Sequence, residues 1–259
     1  MINNLSPLFI IGHKRSGSTF LGKVLNMHPE IFVSNETDVL WLLYQYFNYE
    51  EIAKHKFDGD VGLNMCLKLF GHLLDRAKTP FELFCQIQLA AMSEGFMTNP
   101  SAEKPNLKYL GDQKPFQNAD PKLVKFAAQN FPTTKYIHLI RNPYDVISSC
   151  KKFGKHKDGG WMWKDKTKDR ILRQWVKAEK WVAKLKAQDA PNVHDIRYED
   201  LIENPRQSIR DIFQFLELDY EELLIDNVEN AIVKKERHRE KDFQITDEAS
   251  FIMKTFDYL

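Results

Sequence analysis

The sequence predicts an α/β fold in a single domain, in which a central and mostly parallel sheet is flanked by helices. Short apolar segments alternate with helical patterns along the chain, as in successive βαβ units. Two apolar segments, residues 8–11 and 135–140, run into polar loops that open a helix. The chain has 259 residues, 43% of them hydrophobic, which is enough for one well-buried core. We therefore expect residues 1–259 to form a single domain.

The first part of the chain is predicted to hold two strands and a long helical region. The apolar run at residues 8–11 predicts a strand, and apolar spacing over residues 16–26 predicts a helix that stops before a His-Pro pair. A short strand follows at residues 31–33. Residues 37–99 are mainly helical by periodicity, and Thr79 begins a capping box with proline at the first helical position. We interpret residues 37–99 as a helical insert.

The second part of the chain continues the alternation of strands and helices. A strand is predicted at residues 108–110, and Asp120 caps a helix that runs to residue 130. Residues 135–140 form the clearest later strand, and another helix is expected to begin near residues 204–205. In such sheets, ligands bind where loops leave the carboxyl ends of the strands.

Composition excludes some partners. With 37 basic and 36 acidic residues the net charge is +1, so we expect no partner that is recruited by global charge, neither nucleic acid nor a membrane surface. The apolar run near the first residue is too short for a signal peptide or a membrane span. Three cysteines, Cys66, Cys85 and Cys150, do not form a disulfide framework and have no metal-ligand spacing. We expect a cytoplasmic protein with no bound metal.

The first polar loop has the features of a phosphate site. The spacing Gly12-x-x-x-x-Gly17-Ser18-Thr19 matches the nucleotide-binding P-loop, except that Ser18 stands where that motif has lysine. Lys14 and Arg15 lie inside the loop instead. Backbone amides at a helix start, hydroxyls and a guanidinium suit an anion that is bound without metal. The fold is therefore expected to be P-loop-like; the structural alternative is an ordinary polar corner between a strand and a helix.

Residues 8–19, LFIIGHKRSGST, resemble the 5′-phosphosulfate loop of sulfotransferases that use 3′-phosphoadenosine 5′-phosphosulfate (PAPS). The resemblance implies that Arg15 contacts the sulfuryl group and the bridging oxygen. It also implies that the loop holds the 5′-phosphate of PAPS, and of its product adenosine 3′,5′-bisphosphate (PAP). The cofactor-binding residues expected in this loop are Lys14, Arg15, Ser16, Gly17, Ser18 and Thr19.

The second polar loop resembles the 3′-phosphate site of the same family. Arg141 follows the strand at residues 135–140, and Ser149 comes eight residues later, about two helical turns into the next helix. The planar fork of an arginine suits a phosphate, and a neighbouring hydroxyl completes the grip. Alternatively, Arg141 only ends a strand and Ser149 is a solvated helix residue.

Two further residues resemble catalytic groups of the branch that sulfates tyrosyl and carbohydrate hydroxyls. Glu36, in MHPEIFVSNETD, is the expected general base that takes the proton of the acceptor hydroxyl. The alternative for Glu36 is a helix cap near residue 37. Lys114, in DQKPF, is expected near the bridging oxygen; the aspartate of the family's string is missing, although Asp112 lies two residues earlier. The alternative for Lys114 is an ordinary surface lysine.

Tyr198, in the string RYEDL, resembles the family's tyrosine that approaches the adenine. It could equally pack a strand end onto the next helix. Residues 151–170, with eight basic residues against three acidic ones, are interpreted as a mobile loop over the site. A second basic cluster, residues 234–242, resembles a segment that closes over the nucleotide, but the sequence does not decide whether either segment does so.

The sequence therefore predicts a sulfotransferase that moves a sulfuryl group from PAPS to the hydroxyl of an acceptor. A small molecule, a carbohydrate and a tyrosyl residue are all compatible acceptors, and the oligomeric state leaves no readable signal. Two alternatives stay open: a P-loop nucleotide or small-molecule kinase, and a non-catalytic protein that binds anionic polymers. Ser18 argues against the kinase, and Glu36 argues against the anion binder.

Overall fold

A computed structural model of the protein describes residues 4–49, 61–94, 104–155, 161–164, 166–189, 192–232 and 243–259. These residues fold around one five-stranded sheet. Its strands are β1 (Ser6–Gly12), β2 (Ile31–Asn35), β3 (Tyr109–Gln113), β4 (Lys135–Ile140) and β5 (Val193–Arg197). The strand order is β2-β3-β1-β4-β5, and every neighbouring pair is parallel. The predicted parallel α/β fold is thus confirmed.

The helices cover both faces of this sheet. In chain order they are α1 (Ser18–Leu25), α2 (Val39–Asn48), α3 (Val61–Phe70), a 3₁₀ segment (Gly71–Arg76), α4 (Pro80–Ser93), α5 (Pro115–Asn118), α6 (Pro121–Asn130), α7 (Pro143–Phe153), α8 (Trp161–Lys164), α9 (Lys168–Asp189), α10 (Tyr198–Glu203), α11 (Pro205–Phe215), α12 (Glu222–Ala231) and α13 (Asp247–Thr255).

The central strand β1 is buried on both faces. Leu8 and Ile10 point to the side of the sheet covered by α1, α11 and α12. Phe9 and Ile11 alternate with them and pack with α2, α4 and α6 on the other side. A strand between two helical layers needs apolar residues at every position, which explains the uninterrupted run in the sequence. Truncation of the fully buried Phe9 to alanine would cost about 3–5 kcal/mol.

A buried ion pair joins β4, β5 and α9. The ring of His138 lies 2.8 Å from Oδ1 of Asp195 and 2.9 Å from Oε2 of Glu179. Burial alone lowers the pKa of His138, but the two carboxylates outweigh it and raise that pKa to about 9. The imidazolium therefore stays charged in the core and fixes the edge strand to the sheet.

Most predicted elements are found with small shifts. The predicted helix at residues 16–26 begins only at Ser18, because the preceding Gly17 adopts φ +102° and remains in the loop. The strand predicted at residues 108–110 runs from Tyr109 to Gln113. The described part of residues 37–99 is helical, and both hydrogen bonds of the Thr79 capping box are present.

The expectation of a mobile loop at residues 151–170 is wrong for its described part. That part consists of the end of α7, α8 and the start of α9. Its aromatic residues explain the difference, since Trp163 is buried and Phe153 packs against the same apolar cluster as α7 and α9. Basic residues then occupy the outer faces of ordered helices. The predicted cluster at residues 234–242 lies outside the described residues.

Candidate active site

The candidate site residues meet at one edge of the sheet. All five strands are parallel, so their carboxyl ends share that edge. Each strand is followed by one residue that the sequence singled out, and in chain order these are Arg15, Glu36, Lys114, Arg141 and Tyr198. Residues spread over most of the chain are thereby brought together.

The loop after β1 is built to approach its neighbours closely. Gly12 adopts φ +131°, and a Cβ there would lie 2.6 Å from the carbonyl oxygen of Leu139 on β4. Only glycine fits this position without moving a backbone. The first loop therefore leaves the sheet directly beside the loop that follows β4.

The first loop presents the bare N-terminus of α1. Arg15 and Gly17 adopt φ +68° and +102°, the left-handed conformations found in backbone nests that bind anions. No side chain caps α1, and the same holds for α2, α5, α10, α11 and α12. The hydroxyl of Ser16 is buried and, within the described ranges, has no hydrogen-bond partner. The loop therefore offers amide and hydroxyl donors to an anion.

The second loop is held firmly at the end of β4. The indole of Trp175 donates to the carbonyl of Arg141 at 3.1 Å. The backbone N–H of Asn142 donates to Glu199 at 3.1 Å, and Tyr258 donates to the other oxygen of Glu199 at 2.7 Å. The Asn142 side chain caps α7. The backbone of Arg141 and Asn142 and the start of α7 are thus held in place by residues of α9, of α10 and of the segment after α13.

Arg141 links the two loops. Its guanidinium donates to the carbonyl oxygen of Arg15 at 3.2 Å and stacks 4.3 Å above the ring of Tyr198. Its Nε is buried and has no partner among the residues described. The Tyr198 ring lies against Gly17, where a Cβ would stand 2.4 Å from ring carbons. Tyr198 therefore packs between the loops, rather than only between a strand end and a helix.

A cleft of about 660 Å³ opens over these loops. The predicted residues that line it are Lys14, Arg15, Gly17, Ser18, Thr19, Glu36, Arg141 and Ser149. Ser16, Lys114 and Tyr198 are not part of its lining. The sequence reasoning missed Phe20, Lys23, Pro115, Phe153 and Trp163, which also line it. Their only signal was proximity to the predicted loops, because four of them are apolar and Lys23 is a single lysine within a helix, so none belongs to a motif.

Glu36 lies in an unusual backbone conformation next to β2. It is exposed and adopts φ +53°, a left-handed conformation that costs a residue with a side chain about 1–2 kcal/mol. Asp112 on β3 holds this turn: its buried Oδ1 accepts hydrogen bonds from the Thr37 N–H at 3.1 Å, the Thr37 hydroxyl at 2.9 Å and the Ser34 hydroxyl at 3.0 Å. No side chain caps α2, which does not support the alternative of Glu36 as a helix cap.

Lys114 is not an ordinary surface lysine. Its ammonium forms an ion pair with Asp38, and the two side chains are only 12% and 1% exposed. Gln117 donates to the other oxygen of Asp38 at 3.0 Å. Asp38 is the N-cap residue of α2, so this pair ties the loop after β3 to the start of the helical insert.

Lys14 shares the neighbourhood of Glu36 and Lys114. Burial, and next the charge of Lys114, lower the pKa of the Lys14 ammonium, while the carboxylates of Glu36 and Asp38 oppose that shift. The Lys14 side chain thus lies within reach of charges that follow β2 and β3.

The neutral ring of His13 supports the first loop from below. Burial, aided by the charges of Lys14 and Lys166, lowers the pKa of His13 to about 3, although the hydrogen bond to the backbone of Lys14 acts to raise that pKa. The Nδ1–H of the neutral ring donates to the Lys14 carbonyl at 2.6 Å. Edge contacts with Phe116 and Trp163 fix the ring. The sequence reasoning missed His13, because one histidine after an apolar strand has no distinctive spacing.

The comparison with protein families decides to which family the chain belongs. Residues 7–222 match the model described as the sulfotransferase family. The chain belongs to the sulfotransferase family. A comparison with curated proteins finds no matching sequence.

Solved structures agree with this assignment at the level of the fold. The sulfotransferase domain from the olefin synthase of Synechococcus PCC 7002 is 21% identical, with a TM-score of 0.66 over 99% of this chain and 96% of that one. The sulfotransferase domain from the curacin biosynthetic pathway is 19% identical, with a TM-score of 0.62 over 98% of each chain. Mouse sulfotransferase SULT7A1, solved with PAP, is 15% identical, with a TM-score of 0.51 over 88% of this chain and 65% of that one.

This sulfotransferase has a second and larger cleft that shares no lining residue with the first. It measures about 890 Å³ and lies between α6, the start of β4 and the last turns of α9. None of the predicted site residues lines it, and it opens at the amino end of β4. No helix in the described ranges is both long and apolar enough to cross a membrane.

Proposed function

We propose that this sulfotransferase takes its sulfuryl group from PAPS and transfers it to a hydroxyl of an acceptor, leaving PAP. The observation that carries the proposal is the pairing of two anion sites in one cleft. The loop before α1 is proposed as one site, and Arg141 with Ser149 is proposed as the other; all of them line the same cleft. A donor with a 5′-phosphosulfate and a separate 3′-phosphate needs two such sites.

The donor groups of the protein fit such a ligand. The uncapped N-terminus of α1 and the buried hydroxyl of Ser16 suit the 5′-phosphate. The buried Nε of Arg141 and the hydroxyl of Ser149 suit the 3′-phosphate. Tyr198 stacks beneath Arg141 and is proposed to contact the adenine. The PAP complex of mouse SULT7A1, which has the same fold, supports this choice of nucleotide.

The proposed chemistry needs a base and a set of cations. PAPS, when bound, supplies the sulfuryl group and a phosphate leaving group. Glu36 lies on the cleft and is proposed to take the proton of the acceptor hydroxyl, a contribution of roughly 10² to 10⁴ in rate. Lys14, Arg15 and Lys114 are proposed to stabilise the negative charge that develops as the sulfur–oxygen bond to the phosphate breaks.

The acceptor side is proposed to be the helical insert over residues 37–99. Its first helix, α2, begins three residues after Glu36, and its N-cap Asp38 binds Lys114. An acceptor that reaches Glu36 would therefore contact this insert. We also propose a cytoplasmic location, which the three buried free thiols of Cys66, Cys85 and Cys150 support.

Calorimetric titration with PAP tests the cofactor proposal. Wild type is expected to bind one PAP without added metal, and Arg141→Ala to bind about 10- to 100-fold more weakly, because a charge-assisted phosphate contact is lost. Arg210→Ala is the matched control, since Arg210 lies on the surface of α11 and pairs with Glu222 of α12. Absence of binding to wild type, or equal losses in both variants, would contradict the proposal.

A further inference from the structure

We infer that Tyr258, which does not line the active-site cleft, is a positioning residue for the proposed 3′-phosphate site. Its hydroxyl acts through Glu199 on the peptide from which the Arg141 side chain projects. The inference rests on the proposed function and goes beyond it, because it assigns a role in nucleotide binding to a residue that follows α13.

The peptide between Arg141 and Asn142 is held from two sides. Its carbonyl oxygen accepts a hydrogen bond from the indole of Trp175 on α9 at 3.1 Å. Its N–H donates to Oε1 of Glu199 on α10 at 3.1 Å. Asn142, Trp175 and Glu199 are all buried, which keeps water from competing for these bonds. Because a peptide unit is planar, a hold on both of its polar atoms fixes the direction in which the Arg141 side chain leaves the backbone.

Glu199 obtains its second hydrogen bond from Tyr258. Oε2 of Glu199 accepts from the Tyr258 hydroxyl at 2.7 Å, while Oε1 accepts from the Asn142 N–H. Burial, and next the charge of Glu199, raise the pKa of Tyr258, so the phenol stays protonated and remains a donor at neutral pH. A buried carboxylate that loses one of its donors turns toward water or another donor. Loss of the Tyr258 hydroxyl therefore also loosens the hold on the Asn142 N–H.

The end of α13 directs Tyr258 toward Glu199. Asp257 adopts φ +54°, and its N–H donates to the carbonyl oxygen of Lys254 at 3.3 Å. The N–H of Tyr258 donates to the carbonyl oxygen of Met253 at 2.8 Å. Two such hydrogen bonds around a left-handed residue form the Schellman motif, which frequently carries an apolar contact between its ends. That contact is present, since Tyr258 and Met253 pack in one apolar cluster, and it fixes the position of the tyrosine.

The Arg141 side chain shows what this support achieves. Tyr198, the chain neighbour of Glu199, stacks against the guanidinium, with 4.3 Å between Cζ and the ring centre. The guanidinium also donates to the carbonyl oxygen of Arg15 at 3.2 Å, while its Nε has no partner in the described part of the chain. The start of α10 thus holds both the backbone and the side chain of Arg141. Because a guanidinium meets a phosphate with a rigid fork of donors, a turn of its peptide moves those donors away from the 3′-phosphate.

Tyr258→Phe tests this role, because it removes the hydroxyl and keeps the ring. PAP and adenosine 5′-monophosphate (AMP) differ only in the 3′-phosphate, and calorimetry gives the dissociation constant of each. Tyr258→Phe should weaken PAP binding by about 3- to 10-fold and change AMP binding by less than about 2-fold. Glu199→Ala, which removes the acceptor of the Asn142 N–H, should shift the ratio of the two constants at least as far.

Glu199→Gln is the conservative variant. Its amide oxygen accepts from the Asn142 N–H, and its amide N–H donates to the hydroxyl oxygen of Tyr258. The hydrogen bonds that hold the second loop are therefore kept without the negative charge. PAP should bind to this variant within about 2-fold of wild type.

Tyr109→Phe is the matched control. The Tyr109 hydroxyl also donates a buried hydrogen bond, to the carbonyl oxygen of Leu216 at 2.9 Å, but Tyr109 lies at the start of β3 and does not line the cleft. Tyr109→Phe and Tyr258→Phe should both lower the midpoint of thermal unfolding, a measurement that also confirms that each variant folds. Only Tyr258→Phe should change the ratio for PAP to AMP.

Other outcomes separate the inference from the proposed function. If wild type binds PAP no more tightly than AMP, the proposed 3′-phosphate site fails. If wild type prefers PAP, but Tyr258→Phe or Glu199→Ala leaves the ratio for PAP to AMP unchanged, Tyr258 has only a structural role and the inference alone is overturned. It is also overturned if Tyr258→Phe weakens both nucleotides equally, or if Glu199→Gln loses as much PAP affinity as Glu199→Ala.

Discussion

Replacement of Glu36 by glycine should make the protein more stable and nearly inactive. Glu36 adopts φ +53°, and relief of this conformation is worth about 1–2 kcal/mol. The greater freedom of glycine in the unfolded chain costs about 0.5–1 kcal/mol. The net gain lies between about zero and 1.5 kcal/mol, with its centre at ~0.75 kcal/mol, which for a domain of this size raises the unfolding midpoint by up to roughly 6 °C.

The same substitution removes the proposed base. Turnover should fall by roughly 10² to 10⁴, because no other described residue that lines the cleft carries a carboxylate to take the acceptor proton. The assays are thermal unfolding by circular dichroism and the rate of PAP release from PAPS, with an acceptor that wild type turns over. Glu36→Gln, which keeps the side-chain size and the strained backbone, should lose turnover without gaining stability.

Glu217→Gly is the matched control. Glu217 adopts φ +54°, is exposed and lies 3.8 Å from Lys135 in a surface pair that contributes little. It should gain similar stability with unchanged turnover. Normal turnover of Glu36→Gly would remove Glu36 from the mechanism. A lower midpoint for Glu36→Gly, beside a raised one for Glu217→Gly, would refute the strain reasoning.

Three further predictions concern pH, the first loop and the insert. The folded-state pKa of His138 is raised from 6.5 to about 9, so the contribution of its charged ring to the free energy of unfolding is complete below about pH 6.5 and disappears as pH rises through 9. Urea titrations at increasing pH should show a loss of stability on the order of 3 kcal/mol, and a free energy of unfolding that does not change with pH would contradict the buried ion pair. Gly17→Ala places a Cβ 2.4 Å from the Tyr198 ring at φ +102°, so calorimetry should show PAP affinity reduced more than about tenfold, whereas wild-type affinity would show that the loop can shift. Thr79→Ala removes the cap of α4 and should cost about 1 kcal/mol in chemical denaturation; an unchanged midpoint would show that the cap is dispensable.

The sequence was most informative where local chemistry decides the structure. The uninterrupted apolar run of β1 predicts a strand in a sheet covered by helices, and the structure buries that strand on both faces. The glycine spacing after it predicts a P-loop-like loop, and the structure shows that Gly12 adopts a positive φ there. The capping residues Thr79 and Asp120 gave correct helix starts. The common edge of the parallel strands followed directly from their alternation with helices.

The sequence was less informative where long-range packing decides the structure. Residues 151–170 looked like a solvated loop because of their charge, yet Trp163 is buried there and organises helices around it. The pairing of Lys114 with Asp38 joins residues far apart in the chain and leaves no local pattern. The direction of the Arg15 side chain depends on its positive φ and on Arg141, which also cannot be predicted from spacing.

A crystal structure of the protein with PAP, grown without metal, tests the central claim most directly. The 5′-phosphate is expected against the N-terminus of α1 with the Ser16 hydroxyl, and the 3′-phosphate between Arg141 and Ser149. PAP in the cleft between α6 and α9, or in the reverse orientation across the two loops, would contradict it.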